Sequence, residues 1–155
     1  MKKILALSIA LTVLVSCKKE VETALPVTVE EVPIETPVTT ECFEGVIKSD
    51  TFRMTVRMKG KAFVDGTLSY HFFEKDKSNG TLSGHMVGDT LYADYTFASE
   101  GTTSKREVVF LRKGKIFIEG YGDVAEGPEG KMAFKDKKKM YFDSKNILAQ
   151  IDCKE

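Results

Sequence analysis

The chain has 155 residues, with 23 basic against 23 acidic side chains, so it carries no electrostatic footprint for nucleic acid. That length holds one domain of ordinary size and excludes two sizeable cores. The composition is uneven: every glycine, phenylalanine and tyrosine follows Glu41, while three of the four prolines precede it.

Met1-Lys2-Lys3 opens the chain, and an apolar run from Ile4 to Val15 follows, broken only by Ser8 and Thr12. A positive start before an apolar run too short to span a bilayer reads as a secretory signal over residues 1–16. The run ends Leu14-Val15-Ser16-Cys17, which resembles the lipobox of bacterial lipoproteins. The resemblance implies cleavage before Cys17, lipid on its thiol and new amine, and a membrane as partner. Several acyl chains anchor stably where one binds marginally. Lys18 in the second mature position, where Asp would be an inner-membrane signal, points to an outer-membrane lipoprotein facing the periplasm or the surface. The competing reading is an ordinary secreted protein whose cysteine falls here by chance.

Residues 17–41 read as a tether. Between Lys18 and Thr40 there is no glycine or aromatic residue, and Pro26, Pro33 and Pro37 punctuate a run of Thr, Val and Glu. Such a stretch buries too little apolar surface to offset its ordering entropy and is expected to be an extended, disordered spacer. After the cysteine it holds six glutamates against Lys18 and Lys19; residues 42–155 hold 19 basic and 17 acidic residues.

Residues 42–155 read as a single all-β domain. Phe52, Met54, Val56 and Met58 alternate with polar residues, as do Leu68, Tyr70 and Phe72, and then Leu91, Ala93, Tyr95 and Phe97. Val87-Gly88-Asp89-Thr90 suits a two-residue hairpin loop with glycine first, pairing Leu82 with Tyr95, Gly84 with Ala93 and Met86 with Leu91. Arg112-Lys113-Gly114-Lys115 suggests another, setting Leu111 beside Ile116, Val109 beside Ile118 and Glu107 beside Gly120. A looser loop spans Glu74 to Gly80. Asp65-Gly-Thr-Leu-Ser is echoed by Asn79-Gly-Thr-Leu-Ser, as two similar hairpin strands. Eight to ten strands with short connections predict an antiparallel up-and-down β-barrel, which hides its edges by closing. Lys135 to Lys139 reads as a solvated turn, with contact to anionic lipid or polysaccharide as the rival.

With Cys17 lipidated, Cys42 and Cys153 remain, one before the first strand and one at the end of the last. In an oxidising compartment they are expected to pair where the barrel closes; free thiols or a metal pair are the alternatives. No His/Cys/Asp/Glu spacing predicts a metal site, no motif predicts a cofactor, and no catalytic residue is nominated. His71, Ser83 and Asp94 are expected in one row on the outer face, but a triad needs histidine in the middle, and here serine is.

The segment from Tyr95 to Glu107 is more informative. Both faces of Val108 to Leu111 are apolar, so either Arg106 or Glu107 points the same way as buried neighbours. If Val108 and Phe110 face inward, Arg106 joins them near Glu119 and Tyr121; if Val109 and Leu111 do, Glu107 does. A charge in a barrel mouth needs a partner. Tyr95, Arg106, Glu107, Glu119 and Tyr121 are therefore the candidate ligand-binding residues, the bland reading being a structural ion pair or rim residue. Gly66 to Tyr70 and Gly88 to Leu91 give the domain an outline that resembles lipocalin-like or avidin-like barrels, and more closely small uncharacterised lipoproteins of Gram-negative bacteria. The lipocalin Gly-x-Trp signature is absent, as the chain has no tryptophan. The expectation is a non-enzymatic envelope lipoprotein binding a small apolar or amphipathic ligand inside the barrel, a reading that a core packed solid by Phe and Met would exclude. The alternatives are a protein-binding inhibitor or assembly factor, using loops 74–80 or 99–104, and more remotely a hydrolase.

Overall fold

A computed structural model describes residues 35–153, apart from Asp76 and Glu100. Residues 1–16, Cys17 and the tether up to Ile34 lie outside the described residues.

Ten strands follow in order: β1 (Val38–Ile47), β2 (Asp50–Lys59), β3 (Ala62–His71), β4 (Lys77–Val87), β5 (Thr90–Ser99), β6 (Thr102–Lys113), β7 (Ile116–Tyr121), β8 (Val124–Glu126), β9 (Met132–Phe134) and β10 (Tyr141–Ile151). Eight of them, β1 to β7 and β10, close into an antiparallel up-and-down barrel, with β10 paired to both β7 and β1. The short strands β8 and β9 form a hairpin attached to β6. Chain direction gives the barrel two ends. The β2–β3, β4–β5 and β6–β7 turns lie at the lower end, and the other barrel turns at the upper.

Period-two alternation holds except at Phe72, which lies past the end of β3 and is 39% exposed because the chain leaves the sheet there. Met54, Val56, Met58, Leu68, Tyr70, Leu91, Ala93 and Tyr95 are buried in one core with Phe43, Phe110, Phe117 and Leu148. Leu82 faces Tyr95, Gly84 faces Ala93 and Met86 faces Leu91. The two Gly-Thr-Leu-Ser copies pair with each other: Thr67 faces Thr81, Leu68 faces Gly80 and Gly66 faces Leu82. Each leucine thus lies across from a glycine, and both leucines are buried.

Two boundaries, one register and one row of side chains differ from expectation. First, β1 begins at Val38, inside the stretch read as tether, because Val38, Thr39 and Thr40 pair with Lys59, Met58 and Arg57; Cys42 therefore lies within the strand, not before it. Second, β4 begins at Lys77, so part of the loop read from Glu74 to Gly80 is strand. Pairing is made by backbone and tolerates the polar Lys-Ser-Asn run, and Gly80 admits a close approach, since a Cβ there would meet the Thr96 carbonyl oxygen at 2.1 Å. Third, the β6–β7 hairpin turns on Gly114 and Lys115, with Lys113 facing Ile116, Leu111 facing Ile118 and Phe110 facing Glu119. Gly114 (φ 61°) takes the first central turn position, as Gly60 (φ 62°) and Gly88 (φ 58°) do in the other lower turns. The inward and outward faces survive this shift, but the partners change. Fourth, His71 faces Lys77 while Ser83 faces Asp94, so the His71–Ser83–Asp94 row does not assemble.

Cys42 and Cys153 form a disulfide, with Cα atoms 5.2 Å apart, at the lower part of the β1–β10 closure. The run Lys135 to Lys139 is a turn: Asp136 accepts from the Lys138 amide at 2.9 Å, and residues 137–139 make a single 3-10 turn.

Candidate functional site

Inner-facing residues of β6 run Arg106, Val108, Phe110, Arg112. Val108 and Phe110 belong to the core, and both guanidiniums lie over core aromatic rings. The inward alternative for Arg106 is therefore the one realised. Its guanidinium carbon is 4.9 Å from the centre of the Tyr70 ring, 5.6 Å from Tyr95 and 5.9 Å from Phe97. Its buried Nε has no hydrogen-bond partner among the described residues.

Glu119 also faces inward, because it follows Phe117 by two residues on β7, and only 9% of it is exposed. Tyr70 donates to Glu119 Oε1 at 2.6 Å, and Tyr121 donates to Oε2 at 2.9 Å. Asn146 donates to the Tyr121 hydroxyl in turn. A β-bulge makes that last contact available: β10 runs from Phe142, opposite Gly120, to Ile147, opposite Ile118, with four residues across from Glu119 alone. Tyr95 donates to Ser78 Oγ at 3.2 Å.

Burial raises the phenols of Tyr70 and Tyr121, and the Glu119 carboxylate raises both further, since a phenolate beside it would add a second buried charge. Tyr95 is also raised by burial, against the opposing pull of its Ser78 hydrogen bond and Arg106. These hydroxyls stay protonated as donors through the neutral range.

Glu107 points the other way. Its Oε1 pairs with Lys137 at 2.5 Å, and its Oε2 accepts from the Phe134 amide at 3.1 Å. Beside it, Asp94 pairs with Lys131 and, at 3.2 Å, with Lys105. Partial burial opposes ionisation of Asp94, but the two lysines prevail and hold its carboxyl below the usual range. Glu107 and Asp94 thus fasten the β8–β9 hairpin region to the outer wall, and Glu107 is not an anchor inside the mouth.

The wall itself opens beside this cluster. The β6–β7 pairing ends at Phe110 and Glu119, and further up Arg106 pairs with Met132 of β9 instead. A cavity of about 250 Å³ occupies this seam, lined by Arg106, Glu107 and Val108 from β6, Glu119 to Tyr121 from β7, Gly122, and Val124, Met132 and Phe134 from the hairpin. Arg106, Glu119 and Tyr121 form its polar side, and Tyr95 backs Arg106 from the core.

A central ligand chamber of the kind an open lipocalin-like barrel would offer is filled here. Phe43 and Phe117 pack edge-on at 4.9 Å between ring centres, Phe110 joins them at 6.3 Å from Phe117, and Met54, paired with Phe43 across β1 and β2, is fully buried. The lower mouth has a wider hollow, about 440 Å³, but it is lined by turn residues and by the closed Arg112–Glu41 pair. Among the described residues no group of three or more His, Cys, Asp or Glu side chains is placed to hold a metal ion.

Of the five candidate residues, Arg106, Glu119 and Tyr121 meet in the seam with Tyr95 behind them, while Glu107 borders the seam but turns its carboxylate to Lys137 and the Phe134 amide. Tyr70 and Asn146 complete the cluster and were not singled out. Tyr70 had a signal, since a buried phenol in an alternating strand needs an acceptor. Asn146 had none, because a bulge is not written in the alternation. No protein-family model, curated protein or solved structure matches the chain, so the site is read from its own chemistry.

Proposed function

We propose that this protein is a lipid-anchored lipoprotein of the bacterial envelope, facing the periplasm or the cell surface from the outer membrane, and that it binds a small amphipathic ligand without catalysing a reaction. The address rests on the resemblance of residues 1–17 to a lipoprotein signal. The binding role rests on the seam cavity, where an apolar wall of Val108, Val124, Met132 and Phe134 meets the polar Arg106–Glu119–Tyr121 side. Native mass spectrometry of the chain purified from its own envelope tests that role. The expected result is a co-purified small molecule that is lost when Val124→Trp fills the seam; an unliganded chain throughout would remove the reading. Palmitate labelling lost in Cys17→Ser is the matching test of the anchor.

A second reading, protein binding by an envelope inhibitor or assembly factor, is favoured by Phe73, which is 60% exposed beside the half-exposed Phe72 in the β3–β4 loop. If Phe73→Ala and the parent chain capture the same envelope proteins, that reading falls.

A further inference from the structure

We infer that the ligand of the seam cavity is a small monocarboxylate, its acid group pairing with the part-exposed guanidinium of Arg106 and its apolar body lying against Val108, Val124, Met132 and Phe134. The inference rests on the small-ligand reading above and adds the charge and size of the ligand.

Charge comes from what Arg106 lacks. A guanidinium has only donors to offer, and a buried donor left without an acceptor is costly. The rings of Tyr70, Tyr95 and Phe97 stabilise the cation through their faces but do not replace an in-plane acceptor for the N–H. Glu119 is the obvious counter-ion, yet each of its oxygens already accepts from a phenol, Tyr70 on one side and Tyr121 on the other. Among the described residues no carboxylate forms an ion pair with Arg106, although Arg112 on the same strand face has one in Glu41. Neither Arg106 nor Glu119 has an ion pair among the described residues, but Glu119 is held by two phenols while the guanidinium has donors and no acceptor, and a carboxylate is the planar acceptor that suits it.

Size comes from the cavity. About 250 Å³ is the liquid volume of roughly eight waters at ~30 Å³ each. It lies below the range of about 300–1,000 Å³ that houses drug-sized ligands. An aromatic or short branched acid of about ten non-hydrogen atoms fills such a space, and a long acyl chain would have to leave it for solvent. The hairpin side of the cavity, Val124, Met132 and Phe134, supplies the apolar surface for such a body.

Phenylacetate and its neutral isostere phenylacetamide are the probes, followed in the full-length chain by the arginine Nε–Hε resonances, with the Arg106 signal assigned by its loss in Arg106→Lys. Phenylacetate is expected to shift that resonance and to bind at least about tenfold tighter than the amide, the gain of a charged over a neutral hydrogen-bond acceptor. Arg106→Gln is expected to erase the preference, and Val124→Trp to abolish binding of both probes. Equal binding of acid and amide, both blocked by Val124→Trp, overturns the carboxylate assignment and leaves the cavity reading standing. No response to either probe overturns both. Binding that persists in Val124→Trp places the probes elsewhere and also overturns the assignment. The resonance shift is read on the unsubstituted chain, so a poorly folding Arg106 variant does not remove the test.

Discussion

Two arginines six residues apart on the inner face of β6 close the two ends of one barrel, and they do so differently. At the lower end Arg112 donates to Glu41 at 2.7 Å and to the Gly114 carbonyl at 3.2 Å, with its guanidinium 5.4 Å from the Phe117 ring. At the upper end Arg106 has three rings around it and no acceptor for Nε. Residue type, strand, face and aromatic backing are shared, so the acceptor is the difference. The lower end is also where the three glycine-first turns and the Cys42–Cys153 disulfide gather. At the upper end β6 and β7 part and a bulge distorts β10. The lower end is finished by the chain itself, whereas the upper end leaves a buried donor without an acceptor among the described residues.

The largest effect is expected where the lower end is stitched. Replacing both Cys42 and Cys153 by serine releases a closure 111 residues apart in sequence, worth about 4–5 kcal/mol in the chain-entropy model. Urea unfolding should show that loss, and one below about 1 kcal/mol would mean that the strand ladder alone holds the closure. The next test sets the two arginines against each other. Glu41→Gln strips Arg112 of its charged partner and should cost about 1–3 kcal/mol, the range for a hydrogen bond to a charged group. Arg106→Met keeps the stem over the rings and removes an unsatisfied donor, so it should change stability by less than about 1 kcal/mol in either direction. If the two substitutions cost the same, the contrast between the ends is false.

Much of the barrel was legible because alternation is a local signal. Met54, Leu68, Leu91 and Tyr95 lie where the period of two puts them, and Gly88 marks its turn. What escaped was set by partners and not by pattern. Val38 to Thr40 look like linker because strand pairing here is satisfied by backbone with polar side chains outward. The β6–β7 register was missed by one turn position, although the glycine-first rule that Gly88 follows also fits Gly114. At the site, the choice between Arg106 and Glu107 was stated but not decided, because both faces of Val108 to Leu111 are apolar; Val109 is fully buried yet outside the main core. The seam, the hairpin across it and Asn146 all depend on β7 and β10 leaving regular pairing, and nothing in residue alternation announces that.

Alkaline pH reaches the upper end through its buried phenols, with little effect near neutrality, and Tyr70→Phe separates their contribution from that of the lysines. The phenols of Tyr70, Tyr95 and Tyr121 are raised above the ordinary value of 10.0 in the folded state. The folded chain then binds more protons than the unfolded chain above that pH, so stability falls as pH rises past about 10 and continues to fall toward the folded-state values. Tyr70→Phe should flatten the fall in the urea midpoint between pH 9 and 11, and absorbance at 295 nm should show these three tyrosines ionising late, with unfolding. A stability curve in that range unchanged by Tyr70→Phe would mean that the Glu119 cluster does not stabilise the folded upper end.

The smallest effect belongs to the hairpin that covers the seam. Lys137 is half exposed, so its pair with Glu107 should contribute only a few tenths of a kcal/mol to global stability, and Lys137→Met should be nearly silent in urea unfolding. Its consequence is local. With Lys137 gone, the hairpin keeps the Lys131–Asp94 pair and the hydrogen bond from the Phe134 backbone N–H to Glu107, and salt screens what charge attraction remains. Amide hydrogen exchange over residues 124–134 should therefore quicken in Lys137→Met, and quicken further as salt rises, while β1 and β2 exchange unchanged. Exchange that accelerates equally in both places would mean that the hairpin opens only when the barrel does. In that case the hairpin and the barrel would be one cooperative unit, and the Lys137–Glu107 pair would have no local effect on the seam.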